Sequence, residues 1–318
     1  YRHVYADVAT SSLRLDENAV YPKGVRQIAI NNLLESEHVR SFVLDVSHDS
    51  YRFSYHKMPC NIDLWSGKIN KSEAYNSKNK SLKINQWKAE LKEKNNLSDT
   101  LCEGLRKFSR RKDCSSIDLG IRCINQPFKI FLAPLARTLA ECKDRLGSVK
   151  SLELGFSFAV SNYERDVVNR ESNTLRAYSY LDHLVEYISS NRNLENLSLS
   201  RNGLNAEGLQ LIVKALEGNF LLVRLDLSKN HMAYHDANND VFIKTLVQSL
   251  DGKTSLRHIN LAGCGLSEAD ADLLLNFMKK NSQVSICIAE NDAISGDHPI
   301  YKLDSLEAEH SGVDLSDS

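Results

Sequence analysis

The chain lacks the cysteine pairs that would staple a small domain or hold a metal. Its seven cysteines (Cys60, Cys102, Cys114, Cys123, Cys142, Cys264 and Cys287) are odd in number, scattered and never spaced C-x-x-C. Neither a disulfide framework nor a zinc knuckle is indicated, and a reducing, intracellular (cytoplasmic) setting is expected. Charge of one sign is lacking too: forty basic residues against forty-one acidic ones leave a formal net charge of -1. That balance excludes a global field drawing the chain to nucleic acid or to an anionic membrane, so recognition by charge must be local. No apolar run approaches the roughly 20 residues of a membrane span, and no secretory signal peptide is visible. Because the first residue is Tyr1 rather than Met, an upstream segment removed or left out is compatible with the sequence, and so is secretion into a host-cell cytosol by a route without an N-terminal signal.

Catalytic signatures are also missing. There is no phosphate loop, G-x-G-x-x-G, H-E-x-x-H, EF-hand loop or nucleophile elbow. Two loose constellations remain. His231, His235 and Asp236 lie close in sequence with metal-like chemistry but no fourth partner, which reads as a surface loop. Cys60 with His48 or His56 and Asp45 has the residue types of a thiol nucleophile and its base, with nothing to fix their distances. The expectation is a protein without catalytic residues, metal or cofactor.

What the chain does have is a repeat. Leu194-x-x-Leu197-x-Leu199-x-x-Asn202-x-Leu204 has the form L-x-x-L-x-L-x-x-N-x-L, and Leu222, Leu225, Leu227, Asn230 and Met232 restate it 28 residues on. A third copy uses Leu256, Ile259, Leu261, Cys264 and Leu266, and a weaker fourth ends in Ile286, Ile288 and Asn291. The L-x-L pair points inward from a short strand, while the Asn can satisfy backbone groups where the chain turns out of it. Helical spacing fills the gaps: Leu209, Ile212, Val213 and Leu216, then Phe242, Leu246, Val247 and Leu250, then Leu273, Leu274 and Phe277. Ser267 with Asp270 predicts a capping box. Extended backwards, the template predicts strands at Leu13/Leu15, Phe42/Leu44, Ile117/Leu119 and Leu152/Leu154, giving about eight units over 1–291; an ordinary α/β domain followed by a short repeat array is the alternative for the early part.

A strand–helix unit of this length resembles the ribonuclease-inhibitor-like class of leucine-rich-repeat proteins, most fully over 194–291. The resemblance implies an α/β horseshoe solenoid, with parallel strands on the concave face and helices on the convex one. That class includes inhibitors, innate-immune sensors, GTPase-activating proteins and secreted effectors of bacterial pathogens, so the fold does not choose among functions. The resulting expectation is a protein–protein interaction scaffold, in one form a pathogen effector acting on a host protein. The alternative is a regulator of a small GTPase of the activating type, which can act by orienting the GTPase's own catalytic groups.

Alternation along the strands predicts an exposed central row of Arg14, Val43, Asp118, Glu153, Ser198, Asp226, Asn260 and Cys287. A second row is Asp16, Asp45, Gly120, Gly155, Ser200, Ser228, Ala262 and Ala289. Asp118, Glu153, Asp226 and Asn260 are candidate contacts, and the acidic middle of the row predicts a protein partner with a basic surface. Insertions near 47–94, 156–172 and 231–239 should leave on one rim, and long loops of this kind tend to be functional or disordered. They carry Tyr51, Phe53, Tyr55, Trp65, Tyr75 and Trp87, then Phe156, Phe158 and Tyr163, then Tyr234. Of these Trp65, Trp87, Phe156, Phe158 and Tyr234 are candidate anchors, since large aromatics are favoured at interface hot spots; the same rings would serve equally as a lid over the first repeats. Between Lys57 and Lys94 there are nine lysines, four acids and no arginine, which reads as a solvated loop rather than a specific nucleic-acid site. Arg106–Lys112 is a cationic helix end. From Asp292 onwards, seven acids against one lysine predict a flexible tail.

Overall fold

The computed structural model describes residues 4–7, 12–15, 41–45, 62–63, 68–69, 98–116, 118–126, 132–156, 179–230 and 239–301. They belong to two compact units, Tyr1–Asn191 and Arg192–Ser318.

In the N-terminal unit β1 (Val4–Asp7), β2 (Ser12–Leu15), β3 (Ser41–Asp45), β6 (Asp118–Gln126) and β7 (Val149–Phe156) are neighbours in one sheet, while β4 (Ile62–Asp63) and β5 (Lys68–Ile69) form a separate antiparallel pair. From β2 to β7 the neighbours are parallel, as the repeat predicts. β1 is an addition: it pairs antiparallel with β2, Val4 opposite Leu15. Helical residues 98–109 and helices α1 (Ala133–Glu141) and α2 (Ser179–Ser190) supply the apolar layer. Leu101, Leu105, Leu135, Leu139 and Leu184 recur at helical spacing and are buried with Leu119, Ile121, Cys123, Leu152 and Leu154 of the strands. Pro134 stands in the first turn of α1, where its missing N–H costs nothing. On the solvent side Arg106 bridges to Glu141 and Lys143 to Glu186, exposed pairs that contribute little each.

The C-terminal unit is more regular. β8 (Asn196–Ser198), α3 (Ala206–Ala215), β9 (Arg224–Asp226), α4 (Asn239–Leu250), β10 (His258–Asn260), α5 (Glu268–Lys280) and β11 (Ser285–Cys287) alternate strand with helix, and the four strands are parallel in chain order. Each strand lasts three residues, and the next leucine closes it. Leu199, Leu227 and Leu261 are buried, and their amides donate to the following strand at Asp226 O (2.8 Å), Asn260 O (2.9 Å) and Cys287 O (2.8 Å). The helices start on side-chain caps. Asn205 Oδ1 accepts from Gly208 N at 2.9 Å, and the predicted capping box is present, Ser267 Oγ accepting from Asp270 N and Asp270 Oδ2 from Ser267 N. The packed chain continues past 291. Ile294 and Ile300 are buried, Ser295 N donates to Glu268 Oε1 at 2.7 Å, and His298 lies beside Asp272, so the first ten residues of the expected tail instead pack against α5. Residues 302–318 lie outside the described residues.

A lysine joins two of these repeats. Lys253 is only 2 % exposed, and its ammonium donates to Asn219 O (2.6 Å), Leu216 O (2.9 Å) and Glu217 O (3.1 Å), the carbonyls past the end of α3. All three N–H donors are used, at the negative end of a helix dipole. Burial pushes its pKa below the ordinary lysine value, with the Glu217 carboxylate opposing that shift and Arg192 adding to it.

Leu227 tests the packing. Its truncation to Ala should cost about 2 to 5 kcal/mol, the range for a fully buried leucine, read as a lowered urea midpoint with little change in slope. A loss under about 1 kcal/mol, the scale of a surface change, would mean the strand is not where the core closes.

Candidate functional site

The open face of the C-terminal sheet is set by the turn that ends each strand. Asn230 is fully buried, and its Nδ2 donates to Leu199 O and Leu227 O, both at 2.8 Å, while its Oδ1 accepts from Leu204 N (3.0 Å) and Asn202 N (3.1 Å). Asn291 repeats the pattern: Nδ2 to Ile288 O (2.7 Å) and Leu261 O (3.1 Å), Oδ1 from Leu266 N (2.9 Å) and Cys264 N (3.0 Å). One carboxamide thereby serves four backbone groups on two successive turns. Cys264 stands at the same position and keeps part of this, its Sγ donating to Leu227 O at 3.2 Å. Just before each of these residues the backbone is left-handed, at Arg201 (φ 60), Lys229 (φ 55), Gly263 (φ 61) and Glu290 (φ 59). Gly263 has no side chain between its neighbours, and Lys229 meets Glu290 across it at 2.9 Å.

Because the turns match, the strands stay in register and their outward residues line up. Ser198, Asp226, Asn260 and Cys287 stand opposite one another in one row, as the repeat predicts, and each is half-exposed. One step earlier lie Asn196, Arg224, His258 and Ser285. The polar side chains are tied within the face. Asp226 accepts from Ser198 Oγ through Oδ2 and from Ser228 N through Oδ1, both at 3.0 Å; Asn260 Oδ1 accepts from Ala262 N at 3.0 Å; Ser200 and Ser228 share a hydrogen at 3.0 Å; His258 Nδ1 and Ser285 Oγ lie 2.8 Å apart. Ser228 and Ala262 of the predicted second row are buried, so the exposed band is narrower than expected. Arg224 is exposed, and no side-chain partner faces it among the described residues.

In the N-terminal unit the rows differ from the expectation. Leu44 stands opposite both Leu13 and Ile121, and Ile121 opposite Leu152, so the row beside them reads Asp45, Arg122, Glu153. Asp118 pairs with Ser41, four residues before Arg122, and is not in the row of Glu153. The predicted run of carboxylates is therefore interrupted by a basic position. The expected pairing is displaced by two residues at β2/β3 and at β3/β6 and by four at β6/β7, and even displacements keep a residue on its predicted face.

Of the candidate loop aromatics, Phe156 is the last residue of β7, in register with Gln126. Trp65, Trp87, Phe158 and Tyr234 lie outside the described residues, as do His48, His56, Cys60, His231, His235 and Asp236. Among the described residues no group of three or more His, Cys, Asp or Glu could hold a metal ion. No helix there is long and apolar enough to cross a membrane. The buried thiols are poor nucleophiles: desolvation raises Cys102, with the nearby Thr138 hydroxyl, Arg106 charge and Ser98 hydroxyl opposing it, and pushes Cys264 up to about 12.

One feature of the C-terminal unit escaped the repeat template. Lys253 occupies a position, three residues before the first leucine of each unit, where Asn191, Asn219 and Asn281 stand in the others. A polar residue at a constant offset was the signal that could have found it.

A family model described as Leucine Rich repeat matches residues 190–213, the stretch that holds β8, the Asn202 turn and most of α3. The match supports a leucine-rich-repeat family, in agreement with the alternating parallel strands and helices. No curated protein matches the chain.

The thiol environments make a direct forecast. Native protein treated with a thiol-specific reagent at pH 8 should be modified at the half-exposed Cys287 well before the buried Cys102 and Cys264, as read by peptide mass mapping. Equal labelling of Cys264 would mean that the turn opens freely and the face is not rigid.

Proposed function

We propose that the chain is a protein-binding module whose open C-terminal sheet face, lined by Ser198, Asp226, Asn260 and Cys287, carries the contacts; Glu153 is a separate contact candidate within the N-terminal unit. The observation behind this reading is the row itself. Four half-exposed side chains stand in register on consecutive strands, and Asp226 and Asn260 are held by hydrogen bonds to backbone amides. A face ordered before its partner arrives loses less side-chain entropy on binding. Leucine-rich repeats generally serve protein–protein interaction, and the 28-residue strand–turn–helix unit supports the ribonuclease-inhibitor-like class. The partner chemistry is mixed rather than purely basic, because a basic position interrupts Asp45 and Glu153 and the carboxylate of Asp226 is already engaged. Trp65, Trp87, Phe156, Phe158, Tyr234 and Asp118 are further contact candidates on the strength of the sequence alone. The setting we favour is intracellular, a host cytosol included.

A double change, Ser198→Arg with Cys287→Arg, places two long side chains at the ends of the row. Melting should stay within about 3 °C, as for surface positions. Capture from a cell lysate should lose at least one polypeptide that the wild-type chain retains. If the retained set is the same for both proteins, the row is not the binding face.

A further inference from the structure

The residues that follow the constant polar position are themselves nearly constant in character. After Asn191 come Arg192 and Asn193, after Lys253 come Thr254 and Ser255, and after Asn281 come Ser282 and Gln283. After Asn219 come Phe220 and Leu221, and these are 62 % and 46 % exposed. The repeat thus breaks its own polar rule at the edge where the strands begin, with two adjacent apolar side chains in solvent. It breaks a second time in the next repeat, where Lys253 replaces the Asn, and the two departures meet: the Lys253 ammonium lies 4.7 Å from the Phe220 ring centroid. That ammonium also grips Leu216 O, Glu217 O and Asn219 O, which fixes the turn carrying the ring. From the other side the Arg192 guanidinium packs against Gly218, where a Cβ would collide with it. Local rules are broken in folded proteins chiefly where function or strain demands it, and here an exposed Phe is held from beneath by a buried charge.

The charge around the pair has a sign. Over 191–196, 219–224, 253–258 and 281–285, which run from the constant polar position into each strand, the basic residues are Arg192, Arg224, Lys253 and Arg257 and the only acid is Glu195; Glu217 and Asp251 lie just before, at the helix ends. Arg224 is exposed with no side-chain partner among the described residues, and its strand neighbours in register are Asn196 and His258. We propose that Phe220 and Leu221, with Arg192, Arg224 and Arg257 of the same strand-entry segments, form a docking site for a partner protein segment that carries an apolar side chain flanked by carboxylates. The apolar side chain covers the Phe220–Leu221 pair, and the carboxylates pair with the guanidinium groups, Arg224 first because it has nothing to give up. This inference rests on the reading of the chain as a protein-binding module.

The test uses the full chain and a displayed library of random linear peptides. Selection on wild type should enrich sequences with Leu, Phe or Trp beside two or more Asp or Glu. A synthetic peptide of that kind should bind more than about tenfold more weakly to Phe220→Ser/Leu221→Ser and to Arg224→Glu, with melting unchanged in Arg224→Glu and lowered by only a few degrees in the double variant, which loses the contact of the ring with Lys253, and its affinity should fall as salt is raised. Enrichment of peptides without acidic residues, no enrichment, or equal binding to the variants would overturn the proposal. So would a concentration-dependent dimer of the wild type that Phe220→Ser/Leu221→Ser abolishes, because a second copy would then own the patch. The Ser198→Arg/Cys287→Arg protein separates this inference from the broader reading. If a captured partner is lost from that protein but kept by Phe220→Ser/Leu221→Ser, the edge site alone is wrong; if neither change affects any partner, both readings fall.

Discussion

The carboxamide of Asn230 is the interaction from which the open face of the C-terminal unit follows. Where a strand ends after three residues the chain must turn inward through the core boundary, and the backbone groups of that turn have no ladder to join. Leaving a buried donor or acceptor unpaired costs about 1 to 3 kcal/mol, so four of them would outweigh much of a domain's net stability. One side chain with two donors and an accepting oxygen resolves all four, one on its own turn and three on the turn before. Because the partners lie on neighbouring turns, each Asn also sets the height of one repeat against the next. Register follows from the turn, and the alignment of Ser198, Asp226, Asn260 and Cys287 follows from register.

The same argument accounts for what the sequence reveals and what it conceals. Over 194–291 the Asn positions mark where each strand stops, so strand, turn and outward row are all legible, down to the capping box at Ser267. Earlier in the chain no Asn stands at that offset from Leu152 or Leu119. There β6 runs over nine residues and β7 over eight, with irregularities in their pairing near Leu119 and Cys123. Long strands allow several registers that bury leucine equally well, and hydrophobic pattern alone distinguishes only odd slips from even ones. The faces were therefore readable and the rows were not, which is why Asp118 was matched to Glu153 when Arg122 holds that place. The antiparallel β1 was missed for a related reason: it belongs to no repeat, so no period announces it.

Polar residues in the core of this fold do their work at fixed places in the unit, and their identity can change while the place does not. Asn191 donates to Val149 O at 2.9 Å, Asn281 to Phe277 O at 3.1 Å, and Lys253 to three carbonyls. An ammonium has one more donor than a carboxamide and reaches farther, so it can hold the end of the preceding helix. Burying it opposes the charged form, as its lowered pKa records, and the three carbonyls with the ring of Phe220 compensate. The substitution gains reach in exchange for desolvation.

A solenoid tolerates such an exchange because each repeat touches chiefly its neighbours. In a globular core, a buried lysine and an exposed phenylalanine would have to be reconciled with every surrounding layer. Here the consequences end within the repeats that supply Arg192, Phe220 and Lys253, and the Asn230 and Asn291 turns beyond them remain alike. Departures from the repeat are therefore cheap to accommodate and easy to see against a regular background. The open face, with its carboxylate engaged and its serines paired to one another, supplies a rigid frame of low net charge. If the chain binds proteins as proposed, discrimination between partners falls to the places where the pattern is broken, and within the described residues the Phe220–Leu221 turn is where two breaks coincide.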